Sequence, residues 1–108
     1  MFGQSDKQIA ETIMEQLGGQ QMRAMTGARD FTICKHGVQF RLPRHFAKSG
    51  INRVQIVLDP SDTYTVTFNK WSRAGLKKIA EYPDTYCDQL QGLFEEVTGL
   101  LVRMGGEK

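Results

Sequence analysis

Residues 62–71, DTYTVTFNKW, alternate between apolar and polar side chains more cleanly than the rest of the chain. Tyr64, Val66 and Phe68 fall on one side of an extended strand, and the threonines between them fall on the other. A helix does not separate residues at a period of two, so the segment predicts a β-strand with one buried and one wet face. The chain must therefore contain a sheet with an apolar face that other elements cover.

Further segments show the same period. They are FTICK (31–35), VQFRL (38–42), NRVQIVL (52–58) and, more weakly, LKKIAEY (76–82). His36-Gly37 predicts a tight turn after the first of them, and Asp59–Asp62 predicts another turn before the 62–71 strand. Residues 21–25 are interpreted as an edge strand that ends in a turn at Gly27. Short strands joined by tight turns indicate an antiparallel meander.

The alternation also predicts which strand residues are buried. On the core side it places Phe31, Ile33, Val38, Phe40, Leu42, Val54, Ile56 and Leu58, together with the three apolar residues of 62–71. On the wet side it places Gln39, Arg41, Arg53, Gln55, Thr63, Thr65 and Thr67. The wet face is therefore expected to be basic, rich in hydrogen-bond donors and free of aromatic residues.

Helical periodicity is confined to the two ends of the chain. An apolar stripe predicts a helix over 5–17, with Ser5 as its N-cap and Gly18-Gly19 as its stop. A second stripe of Tyr86, Leu90, Leu93, Phe94 and Val97 predicts a helix that starts at Asp84 or Thr85 and ends at Gly99.

The expected fold is an α+β domain that spans residues 1–108. It has an N-terminal helix, an antiparallel β-meander of four or five strands and a C-terminal helix packed on one sheet face. Whether residues 74–82 form the fifth strand is left open. The ordered core is expected over 5–101, with a frayed tail at 102–108.

The net charge of +2 conceals a strong asymmetry along the chain. Residues 1–21 carry a net charge of −2, residues 22–78 carry +8 and residues 79–108 carry −4. Since the middle segment forms the strands, the sheet side should be basic and the helix side acidic. Such a charge distribution is evidence about partners, because a basic surface attracts anionic ligands.

Four segments together resemble a known family. They are AMTGARDF (24–31), GVQFRLPR (37–44), DTYTVTF (62–68) and YCDQLQGLFEEVTGL (86–100). The chain resembles a family of small proteins encoded by tailed bacteriophages and prophages, which is marked by MTGA-[KR]-x-F, F-[RK]-LP, DTYxVxF and DQLQ…TGL motifs. The resemblance covers roughly residues 16–100 and implies a phage or prophage protein acting inside a bacterium. It implies no role for any single residue.

Four residues have side chains that zinc accepts as ligands: Cys34, His36, His45 and Cys87. Their spacing matches neither paired CxxC knuckles nor a zinc finger, and His36 falls in the predicted turn. In the family that the chain resembles, this turn looks like Asn-Gly, which argues against a metal role for His36. We expect no metal and no other cofactor.

Catalysis finds little support in the sequence. MTGARD (25–30) lacks the GxxxxGK[ST] pattern of a phosphate loop. A Cys87 nucleophile would need a histidine base and an orienting group, and no complete set stands out. The protein is therefore expected not to be an enzyme, with a metal-dependent or thiol-dependent activity as the least favoured alternative.

The expected location is the cytoplasm of the host cell. No run of roughly 18 apolar residues predicts a membrane span, and the first residues are polar rather than signal-like. Two cysteines in such a chain fit free thiols in a reducing compartment.

Binding of another macromolecule is the function that these features favour. The first hypothesis is an accessory protein that modulates a bacterial or phage protein, for example by inhibiting a defence system or a host enzyme. The alternative is binding of single-stranded nucleic acid through the basic sheet face and the loops 41–53 and 70–78. Self-association is compatible with the charge asymmetry, and the strand edges offer another docking route.

Six residues form the predicted contact surface: Arg41, Arg44, Arg53, Lys70, Trp71 and Arg73. Trp71 has two interpretations, because it can stack on a base or close the edge of the core. The expected lack of aromatic residues on the wet face speaks against a sheet that stacks bases.

Overall fold

A computed structural model of the protein describes residues 5–43 and 47–102. In chain order its elements are α1 (Asp6–Leu17), α2 (Gly19–Thr26), β1 (Arg29–Cys34), β2 (Gly37–Arg41), β3 (Arg53–Leu58), β4 (Tyr64–Ser72), β5 (Gly75–Thr85) and α3 (Leu90–Thr98). Single 3-10 turns lie at Lys48–Gly50 and Cys87–Gln89. Within the described ranges, no helix combines the length and apolar character that crossing a membrane requires.

The five strands form one sheet in the order β1-β2-β3-β4-β5, and every neighbouring pair is antiparallel. The predicted α+β fold with a meander is therefore confirmed. The segment that the sequence left open, 74–82, lies mostly within β5, so the meander has five strands rather than four.

One side of the sheet packs against α1 and α3. The buried residues on the sheet are Val38, Phe40, Val54, Ile56, Val66 and Phe68, and those on the helices are Ile9, Ile13, Leu17, Leu90 and Phe94. These are the positions that the two periodicities predict. Burying each such side chain contributes roughly 1.5–3 kcal/mol, which makes this layer the main source of stability.

Helix α1 begins at a complete capping box. The Ser5 hydroxyl accepts a hydrogen bond from the Gln8 backbone N–H, and the Gln8 side chain accepts one from the Ser5 backbone N–H. These bonds satisfy backbone donors that the first helical turn leaves open. The predicted start at Ser5 is confirmed.

Residues 21–25 are helical, so the prediction of an edge strand there was wrong. Gly18 has a φ of 124°, which lets the chain turn after α1 and begin α2 immediately. Gln, Met, Arg and Ala are good helix formers, and Met22 is fully buried. Gly27 ends α2 in the left-handed conformation, with a φ of 75°.

Ile33 is 50% exposed, so its predicted place in the core was wrong. It faces the helix side of β1, but β1 is an edge strand and the helices leave a groove of about 470 Å³ beside it. Phe31 is only partly buried in the same region, with its ring centroid 5.1 Å from that of Phe40. Alternation gives the face on which a residue lies, but not how far the covering layer extends.

Thr63 and Leu58 also depart from the pattern. Thr63 was expected on the wet face but is only 5% exposed, and its hydroxyl lies 2.8 Å from that of Ser61 in the turn before β4. Leu58 packs against the core but is only partly buried, because it ends β3.

The C-terminal helix begins later than predicted. Strand β5 continues through Pro83 and Asp84 to Thr85, so neither predicted cap starts the helix. Proline is tolerated there because β5 is an edge strand, where a missing N–H need not break the ladder. The helix instead begins after the 3-10 turn at Cys87–Gln89, and Tyr86 is 59% exposed rather than part of the apolar stripe.

The other end of α3 agrees with the prediction. Gly99 ends the helix with a φ of 77°, and the Leu100 that follows is buried. Val102, which was placed in the frayed tail, is fully buried, and its N–H donates to Glu95 Oε2 at 2.9 Å. The core therefore includes Val102.

Burial raises the pKa of Tyr64 above its ordinary value of 10.0, and the nearby Cys87 adds to the effect. The phenol donates a hydrogen bond to Gln16 Oε1 at 2.9 Å. Above pH 10.0 the unfolded tyrosine loses its proton while the folded one keeps it, so this residue's contribution to stability falls as pH rises through that range.

We therefore expect Tyr64→Phe to make the loss of stability between about pH 9 and pH 11 smaller than in the wild type. Urea denaturation at the two pH values measures this loss of stability in both proteins. Tyr86→Phe is the matched control, because it removes the hydroxyl of a tyrosine that is 59% exposed. Equal pH dependence in the wild type and Tyr64→Phe would contradict the expectation.

Candidate binding surface

The side of the sheet opposite the helices is open to solvent in the described part of the chain. We call it the open face, and the strand register places on it Arg29, Thr32, Gln39, Arg41, Arg53, Gln55, Thr65, Thr67, Asn69, Trp71, Leu76, Lys78 and Glu81. They alternate with the buried residues along each strand, so they point away from the core. Apart from Thr63, the predicted wet-face residues all lie there.

Residues from all five strands line up across the open face. Arg29 lies opposite Arg41, Arg41 opposite Arg53, Arg53 opposite Asn69, and Asn69 opposite Lys78. We call this line the basic row. Four spacings between neighbouring strands make it about 19 Å long. Since like charges directly opposite each other destabilise a sheet, the Arg29–Arg41 and Arg41–Arg53 pairs oppose folding and favour an anionic ligand.

Two cations of the basic row have carboxylate partners. Arg41 Nη1 lies 2.9 Å from Asp30 Oδ2, and Lys78 pairs with Glu81. In the described part of the chain, neither Arg29 nor Arg53 forms an ion pair. Because exposed ion pairs contribute little, the paired arginine remains available to exchange its partner for a ligand.

Trp71 lies on the open face, so the interpretation that it closes the core edge was wrong, as was the expectation that this face carries no aromatic residue. Its side chain is 48% exposed, and the Arg53 guanidinium carbon lies 5.5 Å from its ring centroid. Cation–π contacts of this kind hold the two planar groups against each other. The open face thus carries an aromatic surface next to the basic row.

The backbone of Trp71 is fixed by Asn52. The Trp71 N–H donates to Asn52 Oδ1 at 2.7 Å, and the Asn52 amide donates to the Trp71 carbonyl at 3.0 Å. This reciprocal pair ties the end of β4 to the segment before β3. The backbone that carries the indole is therefore held in place before any ligand arrives.

A concavity of about 410 Å³ lies at the end of the β4–β5 hairpin. We call it the hairpin hollow, and it is lined by Gly50, Asn52, Lys70, Trp71, Ser72, Arg73 and Ala74. All of the side chains in this lining are neutral or basic. Lys70 and Arg73, two of the predicted contact residues, thus meet Trp71 here.

The predicted contact residues therefore fall into two adjoining groups. Arg41, Arg53 and Trp71 lie on the open face, while Lys70, Trp71 and Arg73 line the hairpin hollow. Trp71 belongs to both. Arg44 lies outside the described residues.

Two other basic residues of the middle segment belong to different surfaces. The Lys48 ammonium donates to the Glu96 carbonyl at 3.2 Å, so it supports the C-terminal end of α3. The Arg23 guanidinium lies 4.4 Å from the Phe31 ring centroid, beside the groove on the helix side. The excess of positive charge is thus divided between the two sides of the sheet.

The residue types that zinc accepts do not form a ligand cluster in the ranges 5–43 and 47–102. Gln55 Nε2 lies 3.7 Å from the Cys34 sulfur, His36 sits in the β1–β2 turn with its backbone N–H donating to Asp6, and Cys87 is exposed at the start of the 3-10 turn. His45 lies outside the described residues. Cys34 and His36 therefore take part in hydrogen bonds with Gln55 and Asp6, respectively.

Arg29, Asn69 and Lys78 belong to the surface but were not among the predicted contact residues. Their alignment depends on the pairing register, and irregularities between Arg29 and Thr32 and between Phe68 and Asn69 shift that register. Trp71 had a clearer signal. Extending the alternation Thr65, Thr67, Asn69 by one more step places it on the wet face.

A comparison of this chain with protein-family models, with curated proteins and with solved structures finds no match.

Proposed function

We propose that this protein acts by binding another macromolecule through its open face, rather than by catalysis. The basic row carries this proposal. Within it, Arg29, Arg41 and Arg53 lie directly opposite one another on three adjacent strands, and an anionic partner relieves the repulsion among them. Arg53 lies at the centre of the row, beside Trp71.

The biological setting that we propose is an accessory protein of a tailed bacteriophage or prophage, working in the cytoplasm of the host. The MTGARDF, FRLP, DTYTVTF and DQLQGLFEEVTGL segments support it through their resemblance to that family. In this setting the partner is a bacterial or phage protein with an acidic surface. Arginine and tryptophan are the residues that most often dominate the energy of protein interfaces, and both occur on the open face.

Docking through the strand edges is less favoured. The free edge of β5 has an irregularity in its pairing beside Phe68 and carries Lys77, Lys78 and Pro83. Bulges, lysines and prolines are the features by which edge strands avoid pairing with another chain. The partner is therefore expected on the face of the sheet rather than along the β5 edge.

Arg53→Glu should reduce the capture of the partner from a bacterial lysate by about tenfold, because it reverses the charge at the centre of the basic row. Affinity capture with the immobilised protein measures this, with one arm treated with nuclease and one left untreated. Lys7→Glu is the matched control, because Lys7 lies on α1 beside the groove on the helix side. Equal capture by the wild type and Arg53→Glu would contradict the proposal.

A second candidate function is binding of single-stranded nucleic acid. The position of Trp71 favours it, because single-strand binders combine a basic track with aromatic side chains on which bases stack. In the nuclease experiment this candidate predicts that capture depends on intact nucleic acid. An acidic protein partner predicts capture that survives nuclease.

A further inference from the structure

We propose that the hairpin hollow binds one nucleotide of a single-stranded nucleic acid, with the base stacked on Trp71 and the adjoining phosphates held by Lys70 and Arg73. This inference rests on the second candidate function given above. It adds the position of the base, the residues that contact it and the path of the strand.

The exposed indole of Trp71 is suited to stacking on a planar ligand. A tryptophan exposed over 48% of its surface leaves a large apolar area in water, which is unfavourable for the protein alone. Its backbone is fixed by both hydrogen bonds to Asn52, and the Arg53 guanidinium lies 5.5 Å from its ring centroid. An aromatic ring that is held and yet exposed is suited to stack a planar ligand at little further entropic cost.

The hairpin hollow has the size and the lining of a small-ligand site. Its volume of about 410 Å³ falls within the range of about 300–1,000 Å³ that is usual for small-ligand sites. Lys70 and Arg73 line it together with Trp71, and its other side chains are neutral. An aromatic surface beside two cations matches a base joined to phosphate. An acidic peptide would use the cations but would leave the indole without a planar partner.

The basic row provides a path for a nucleic-acid strand that leaves the hairpin hollow. Arg53 contacts Trp71 and lies directly opposite Arg41, which lies opposite Arg29. A chain of phosphates that leaves the hollow therefore meets one cation on each successive strand toward β1. A free nucleotide is too short to contact the successive cations of this row, whereas a polynucleotide can contact them along its length.

The site favours a single strand of nucleic acid over a duplex. The face of a base is available to Trp71 only when that base is unstacked from its neighbours, as in a single strand. In a duplex the base faces are covered. The basic groups here lie on a sheet and a hairpin, so the geometry is not that of a basic helix in a major groove.

Trp71 is the only tryptophan in the sequence, so its fluorescence reports on the site directly. We expect an oligothymidylate of about ten nucleotides to quench it at low salt. The logarithm of the affinity should fall with the logarithm of salt concentration with a slope of about −3.5, since about five cations contact phosphate and each contributes about −0.7. An unquenched indole under bound oligonucleotide would overturn the stacking assignment.

Variants are compared by the fluorescence anisotropy of a labelled oligonucleotide. Trp71→Ala should weaken binding by about tenfold or more, and Trp71→Phe should retain most of the affinity because it keeps an aromatic face. Lys7→Glu, on the opposite side of the molecule, should bind as the wild type does. Unchanged affinity in Trp71→Ala would show that the base does not stack there.

Three further probes separate the alternatives. An abasic oligonucleotide that binds as tightly as the intact one would reduce the site to phosphate contacts and overturn the inference. A duplex that binds more tightly than the single strand would overturn it, as would a free nucleoside monophosphate that binds as tightly as the oligonucleotide. If no nucleic acid binds but Arg53→Glu still abolishes capture of a protein, this inference fails and the first proposed function stands.

Discussion

Gly37→Ala should lower the stability of this protein by about 2–4 kcal/mol, although it adds a single methyl group. Gly37 opens β2 and lies opposite Val57 on β3. A Cβ atom at this position would lie 2.1 Å from the Ile56 carbonyl oxygen and 2.9 Å from the Val57 Cα. Since both atoms belong to the backbone, relief requires the β2 and β3 strands to move apart, which disturbs the centre of the sheet.

Gly92→Ala is the matched control for this substitution. Gly92 lies in α3, and no atom lies within 4 Å of the position that its Cβ would take. Replacing an unhindered glycine in a helix by alanine stabilises it by about 0.5–1 kcal/mol. Thermal unfolding should therefore move the two variants in opposite directions, with Gly37→Ala melting about 10–20 °C below the wild type. A Gly37→Ala protein that is as stable as the wild type would contradict the pairing of Gly37 with Val57.

Much of the fold could be predicted because the apolar and polar residues of each strand alternate according to which side faces the core. The alternation of Tyr64, Val66 and Phe68 with threonine depends only on the two-residue period of a strand, and β4 confirms it. The capping box at Ser5 and the left-handed Gly99 are equally local. Such features follow from a few neighbouring residues, so one sequence is sufficient to find them.

The errors arose where tertiary packing decides the outcome. Residues 21–25 form a short helix because Met22 reaches the core once Gly18 has turned the chain. Ile33 lies on the correct face of β1 but beyond the reach of the covering helices. The period of a sequence gives the side on which a residue lies. It does not give the extent of the layer that covers that side.

The candidate site was predictable only in part for the same reason. Arg41, Arg53 and Trp71 lie together on the open face, and alternation alone assigns them to it. The alignment of Arg29 and Lys78 with them depends on register shifts in β1 and β5. A shift of one residue moves a side chain out of a row, and the turn signals in this sequence do not reveal where the shifts occur.

The two faces of the sheet have opposite effects on stability, and this difference determines how surface variants should behave. Stability comes from the apolar face, whereas the basic row on the other face opposes folding through repulsion. Charge reversal at Arg53 should therefore leave the fold intact and can even relieve that repulsion. A loss of binding in Arg53→Glu can thus be assigned to the contact surface when its melting temperature is at least that of the wild type.

Phe94→Ala is expected to lower the free energy of unfolding by about 3–5 kcal/mol, a large part of the 5–15 kcal/mol typical of a whole domain. Phe94 is 1% exposed, and its ring centroid lies 6.2 Å from that of Phe40 and 6.4 Å from that of Phe68. It therefore joins α3 to both β2 and β4. Truncation removes these contacts and leaves a cavity that three separate elements would have to move to fill.

Urea denaturation measures the effect of Phe94→Ala, and the dependence of unfolding on urea should stay close to that of the wild type if only stability changes. Phe94→Leu keeps most of the volume and should cost only about 1–1.5 kcal/mol. Leu101→Ala is the exposed control, because Leu101 is 60% exposed and its truncation should change stability by no more than about 0.5 kcal/mol. If Phe94→Ala were no more damaging than Leu101→Ala, α3 could not be packed on the sheet through this ring, and the open face would no longer be defined as the side that the helices leave uncovered.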